Sequence, residues 1–149
     1  MCPPALAEAD ELIVTATRAE TAQSDLPAAV VVIDADRARA RGQLTLGQAL
    51  AEVPGLEAPR AGPIGQQSSI FSGGFESNRT LVLFDGVRLD DPSTPEGVFD
   101  AGQDLIGDAG RIEVGQCPMR ALYGSQALGG VINILPRRGG EGALNPRFE

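Results

Sequence analysis

The apolar positions of this chain come in short bursts, separated by polar stretches rich in glycine and proline. Leu12-Ile13-Val14-Thr15-Ala16 is a β-prone run inside a polar stretch, with no partner nearby in sequence, and Thr17 to Gln23 reads as linker. The β-branched content of Ala29 to Asp34 makes it a strand. Asp36 to Arg41 is a short helix, with Asp36 near its start and arginines after it, the order that the helix dipole favours. Thr45 caps a second helix, Leu46 to Glu52, whose Leu46, Ala49, Leu50 and Val53 share one face. Pro54-Gly55 ends it.

Residues 56 to 79 are irregular, with a candidate short strand at Ser68 to Phe71. Thr80 to Phe84 is a strand of the buried type. Asp85-Gly86 signals a hairpin turn, from which Val87-Arg88-Leu89 returns. Asp90 to Gly102 is a polar loop, Arg111 to Val114 an alternating strand, Met119 to Tyr123 one helical turn and Val131 to Leu135 the last strand. There is no internal repeat. The fold class this predicts is α+β: a small mixed four-stranded sheet with short flanking helices and long loops.

The 149 residues suffice for one domain with a modest core. The net charge of -8, from 12 basic and 20 acidic side chains, argues against nucleic acid as a partner. Histidine is absent, so a His-based triad or a His-ligated metal is excluded. Without Trp, and with one Tyr, there is no aromatic platform on which bases would stack. Cys2 and Cys117 are too few for a disulfide framework, and no C-x-x-C suggests zinc. The longest apolar run, Ala28 to Ile33, is far below the roughly 18 residues of a membrane helix. Ala5-Leu6-Ala7 fits either the end of a secretory signal peptide or a flexible N-terminus that happens to contain Ala-x-Ala.

Candidate chemistry narrows the field further. Asp90-Asp91 are adjacent carboxylates able to hold a cation or to act as acid and base, or simply solvated turn residues. Ser72-Gly73-Gly74 precedes a strand and lacks a lysine, so it is no phosphate-binding loop. Ser125, in Gly124-Ser125-Gln126-Ala127, has half of a nucleophile-elbow motif and no histidine to serve as base; Cys117 lacks a His partner too. A small hydrolase using Ser125 stays open only for an ester-substrate panel. The residues give no catalytic group, no metal site and no cofactor. What stands out is Ala121-Leu122-Tyr123-Gly124-Ser125-Gln126-Ala127-Leu128-Gly129-Gly130, either a ligand-cradling loop or backbone packed tightly against something.

Four stretches in order carry a resemblance: Leu12 to Ala16, Leu50-Ala51-Glu52-Val53-Pro54-Gly55-Leu56, Leu81-Val82-Leu83-Phe84-Asp85-Gly86-Val87-Arg88-Leu89, and Ala121 to Ile134. Together they resemble the plug domain of TonB-dependent outer-membrane receptors, over about residues 11 to 140. The resemblance implies a plug held inside a barrel of roughly 22 strands, with Gly124, Gly129 and Gly130 allowing close backbone packing. It implies that Leu12, Ile13, Val14, Thr15 and Ala16 form the TonB box, which the energy-transducing protein TonB grips in the periplasm by strand addition. It places nutrient contacts on Gln66, Gln67, Ser68 and Ser69 and on Asp90, Asp91, Ser93 and Thr94, for a ligand such as cobalamin or a siderophore.

The implied organisation is a signal remnant at 1–7, box and linker at 8–23, plug at 24–140, and at 141–149 the start of a linker to a barrel. Such a barrel needs about 220 further residues, so the partners are TonB, the protein's own barrel and the nutrient. The implied place is the outer membrane of a Gram-negative bacterium, or the periplasm if the fragment is free. A stand-alone periplasmic binding module is the rival reading. The sequence departs from the family at two points: Gly73 and Gln116 stand where arginines are expected to face barrel carboxylates.

Overall fold

The computed structural model describes residues 12–13, 21–22, 30–94, 97–102, 106–116 and 118–137. In chain order, β1 (Leu12–Ile13) pairs with β2 (Thr21–Ala22), and β3 (Val30–Asp34) runs straight into α1 (Ala35–Ala40). Then come α2 (Leu46–Leu50), β4 (Leu56–Glu57) and its partner β5 (Phe71–Ser72). β6 (Thr80–Phe84) turns into β7 (Val87–Arg88), and β8 (Ala109–Gly115), α3 (Arg120–Tyr123) and β9 (Gly130–Pro136) follow.

The main sheet has the order β3-β8-β9-β6-β7. It contains the four expected strands, and the two-residue return arm of the hairpin makes a fifth. β6 and β9 are parallel, and every other neighbouring pair is antiparallel. A mixed sheet follows from the chain path, because β7, β8 and α3 all intervene between β6 and β9.

Alternation along the central strands sends side chains to two cores. On one face Val82, Ile112, Val114, Ile132 and Ile134 pack against α1 and α2 through Ala35, Ala38, Leu46, Ala49 and Leu50, and against Val53 just beyond α2. On the other face Val30, Leu81, Leu83 and Val131 pack with Met119 and Ala127. Burial on both faces explains why β6 and β9 read as continuous apolar runs.

The helices begin where side chains satisfy their first amides. The Asp34 carboxylate accepts from the Arg37 amide at 3.0 Å, so α1 starts directly after the strand and one residue before the expected Asp36. Thr45 and Gln48 form a reciprocal capping box at α2. Asp85 and Gly86 have φ of 49° and 80°, the two left-handed residues of a tight hairpin turn.

Two expectations need correction. Leu12–Ile13 does have a local partner, since Leu12 faces Ala22 and Ile13 faces Thr21. Thr21–Ala22 is too short an extended piece to register as a pattern, yet it meets the hydrogen-bonding demand of the backbone beside it. The ladder expected at Ser68 to Phe71 lies at Phe71–Ser72, with Ser68 in only an isolated bridge to Arg60.

Candidate functional site

Gln66 to Ser69, singled out by the sequence, meet the end of the polar loop that the sequence placed at Asp90 to Gly102. The link is a residue that the sequence did not flag, Asp100. Its carboxylate accepts from the Ser68 amide at 2.8 Å and from the Gly102 amide at 2.9 Å. The Ala101 amide donates back to the Ser68 carbonyl at 3.0 Å. Gly102 is necessary to this contact, because a Cβ there would run into the Gln66 carbonyl. An Asx-type signal (Asp100 two residues before a glycine) was present in the sequence, but only the fold brings Ser68 to it.

These contacts sort the proposed ligand residues. Gln66 and Gln67 are exposed, Ser69 is half-buried and Ser68 is fully buried. Ser68 therefore holds the loop together, its hydroxyl donating to the Ala58 carbonyl at 3.4 Å. Asp90 is paired with Arg88 at 2.6 Å. Asp91 accepts from both the hydroxyl and the amide of Ser93, at 2.6 and 2.8 Å. The Ser93 hydroxyl first, then its amide, stabilise the ionised form and hold the Asp91 carboxyl below its ordinary range. The Thr94 hydroxyl donates to the carbonyls of Asp91 and Val98. Asp90 borders a small recess with Ser77, Asn78, Thr80 and Gln126 rather than the Gln66–Gln67 loop. The two acids are thus turn residues with partners, and the described residues hold no group of three or more metal-ligating side chains.

The glycine-rich stretch is tight packing and not a cradle. The Gly129 amide donates to the Arg79 carbonyl at 2.7 Å, and its carbonyl accepts from the Ser72 hydroxyl at 2.6 Å. A Cβ at Gly129 would lie 2.9 Å from Thr80 Oγ1, and one at Gly130, where φ is 131°, would strike the Gly115 carbonyl. Gly124 differs: its surroundings are open, and its φ of 86° ends α3 in a conformation that glycine favours. Ser125 beside it is exposed.

The two positions where arginines were expected converge on one turn. The Gly73 amide donates to the Gly55 carbonyl at 3.0 Å, and the Gln116 side-chain amide donates to the Pro54 carbonyl. Gly73 has a φ of 59°, a conformation that strains any side chain.

A buried acid completes the picture. Glu113 and Arg111 are two apart on β8 and so share a face, where Glu113 is flanked by Val32 and Asn133 across the ladders. Glu113 is fully buried, with its Oε1 2.9 Å from Arg111 Nη2. Asn133 Oδ1 accepts from the Gly86 amide at 3.2 Å, tying the hairpin turn to the same row. On the opposite side, Arg39 donates to the carbonyls of Ile106, Gly107 and Ala109, and fastens α1 to the start of β8. Asp36 pairs with both Arg39 and Arg137.

A family model for the TonB-dependent receptor plug domain matches residues 22–131. The chain belongs to this family. Its curated relatives include the vitamin B12 transporter BtuB of Vibrio vulnificus (strain CMCP6), 36% identical over 126 residues. That match covers 85% of the plug's chain and 20% of the transporter, so the chain spans about a fifth of its relative. Among solved structures, the ferric enterobactin receptor of Pseudomonas aeruginosa is similar at 26% identity with a TM-score of 0.58, over 76% of this chain and 18% of that one. The ferripyoverdine receptor of the outer membrane of Pseudomonas aeruginosa shares the fold, with a TM-score of 0.69 at 20% identity, over 87% of this chain and 16% of that one. The family is one of receptors and transporters. No helix among the described residues is long and apolar enough to cross a membrane. Of the stretch read as the TonB box, Leu12 and Ile13 lie in β1, while Val14, Thr15 and Ala16 lie outside the described residues.

Proposed function

We propose that this plug closes the barrel of a nutrient receptor in the outer membrane, contacts the nutrient on its outward loops, and recruits TonB through Leu12 to Ala16. The observation that carries the reading is the match of residues 22–131 to the plug family, in relatives that are whole receptors. That context also disfavours a stand-alone binding module. Cobalamin is the first nutrient to test, since a relative 36% identical is named a vitamin B12 transporter; a siderophore is the second. Gln66 and Gln67, exposed on a loop anchored by Ser68, are the side chains best placed to meet a large polar ligand. The domain boundaries that go with this reading are 8–23 for box and linker and 24–140 for the plug.

The TonB contact is the step most open to direct test. Strand addition uses backbone amides, and proline removes one. A peptide of residues 8–20 should bind the periplasmic domain of TonB at micromolar concentration, and Val14→Pro should weaken it at least tenfold. Calorimetric titration reads both. No binding of the unsubstituted peptide at high micromolar concentration would remove the box assignment.

A further inference from the structure

The two edges of the five-stranded sheet are built differently. β7 is two residues long and carries Arg88, paired with Asp90; shortness and charge are ordinary protections for an edge. β3 is five residues long and reads Val30-Val31-Val32-Ile33-Asp34, with β8 on one side in unbroken register. No strand flanks its other side among the described residues. The edge has no lysine, proline or bulge to discourage pairing. A groove of about 200 Å³ lies along it, lined by Val31, Ile33, Ala38, Ala49 and Val53, with Arg37 at the rim. The Arg37 guanidinium has no ion pair among the described residues.

One occupant is tethered beside this edge. Among the described residues β1 and β2 pair only with each other, and a lone two-stranded ladder is marginal in water. Residues 23–29 join Ala22 to Val30. Fully extended, such a link reaches up to about 25 Å, against a strand spacing of roughly 4.8 Å. An antiparallel return is therefore within easy reach, and the tether holds the ladder near the edge at an effective concentration on the order of millimolar.

We propose that the β1–β2 ladder adds to the outer edge of β3 along Val31 to Ile33, extending the sheet to β1-β2-β3-β8-β9-β6-β7. β1 then becomes the outer edge, with Leu12–Ile13 at its rim. A partner strand added there is hydrogen-bonded through β2 and β3 into the core of the plug. The docking stands whatever partner β1 takes; only its consequence for a pull exerted by TonB rests on the function proposed above.

Amide hydrogen exchange and NMR on the full chain test this without any partner. Cross-strand contacts between Thr21–Ala22 and β3 are expected in the unsubstituted chain, together with slow exchange of the outward-facing amides of Val31 to Ile33. In the double variant Thr21→Pro, Ala22→Pro those amides should exchange at least tenfold faster, while Val131 to Leu135 stay protected and report an intact fold. Absence of the cross-strand contacts overturns the proposal, a result that does not depend on how the variant folds. Equal exchange in the two chains overturns it as well. So does protection that rises with protein concentration, which would give the edge to a second copy of the chain. TonB takes no part, so failure of the box assignment leaves this measurement unaffected.

Discussion

At the scale of single residues, two acids are held in opposite ways. Glu113 is the costliest of its acids to place, being fully buried in the second core. Its position is tenable because Arg111 stands two residues earlier on the same strand face. Arg111→Ala leaves the carboxylate without that partner and should destabilise the domain by about 3 kcal/mol. Joining Glu113→Leu to it should recover most of the loss, because an apolar side chain needs no partner there. Urea denaturation of the three chains measures both effects, and a single variant as stable as the parent would contradict the ion pair's role.

Asp91 is the opposite case, a half-buried acid near the surface held by its own turn. Its folded pKa lies below the unfolded value because Ser93 stabilises the ionised form. The sign follows: the contribution is present above the unfolded carboxylate value of about 3.9 and is lost as pH falls through the folded value. An NMR titration should place the Asp91 midpoint below that of an ordinary aspartate, and Ser93→Ala should move it up. An unmoved midpoint would show that the hydroxyl is not the main cause.

At the scale of elements, close approach matters more than turn chemistry. Gly130 lies at the entrance to β9 with a φ of 131°, and a Cβ there meets the Gly115 carbonyl. Gly130→Ala should therefore combine backbone strain with overpacking, at a cost of about 1–3 kcal/mol. Gly124→Ala should cost less, being strained in φ but open around the added methyl. Thermal melts rank the two, and the reverse order would refute the packing account.

The elements also show how far a pattern can be read. β6 and β9 were legible because burial on both faces makes them continuous apolar runs, and α2 because Thr45 and Gln48 spell its cap. β2 was not legible, since two residues carry no period. The proposed site was half legible. Glycine, serine and paired aspartates marked the loops, but which of them face solvent depends on contacts distant in sequence. Ser68 is 32 positions from Asp100, and nothing local announces that it is buried.

At the scale of the whole molecule, the two positions where arginines were expected share a location. Gly73 and Gln116 meet at the Pro54–Gly55 turn, where both bond backbone carbonyls. An arginine at Gly73 would strain a φ of 59°, and one at Gln116 would replace the side-chain amide that donates to the Pro54 carbonyl. Simple restoration of the arginines is therefore not neutral to the plug itself. The turn as it stands is uncharged, and suits a barrel wall without acids opposite it.

The central claim is that this domain closes a barrel. A barrel of roughly 22 strands encloses a lumen wide enough to conduct ions unless something fills it. The direct measurement is planar-bilayer conductance of a chimera in which this chain replaces the plug of the Vibrio vulnificus vitamin B12 transporter, compared with that barrel left empty. The account predicts that the empty barrel conducts and that the chimera, correctly inserted and carrying an intact plug, stays near baseline. A chimera that conducts as freely as the empty barrel would contradict it.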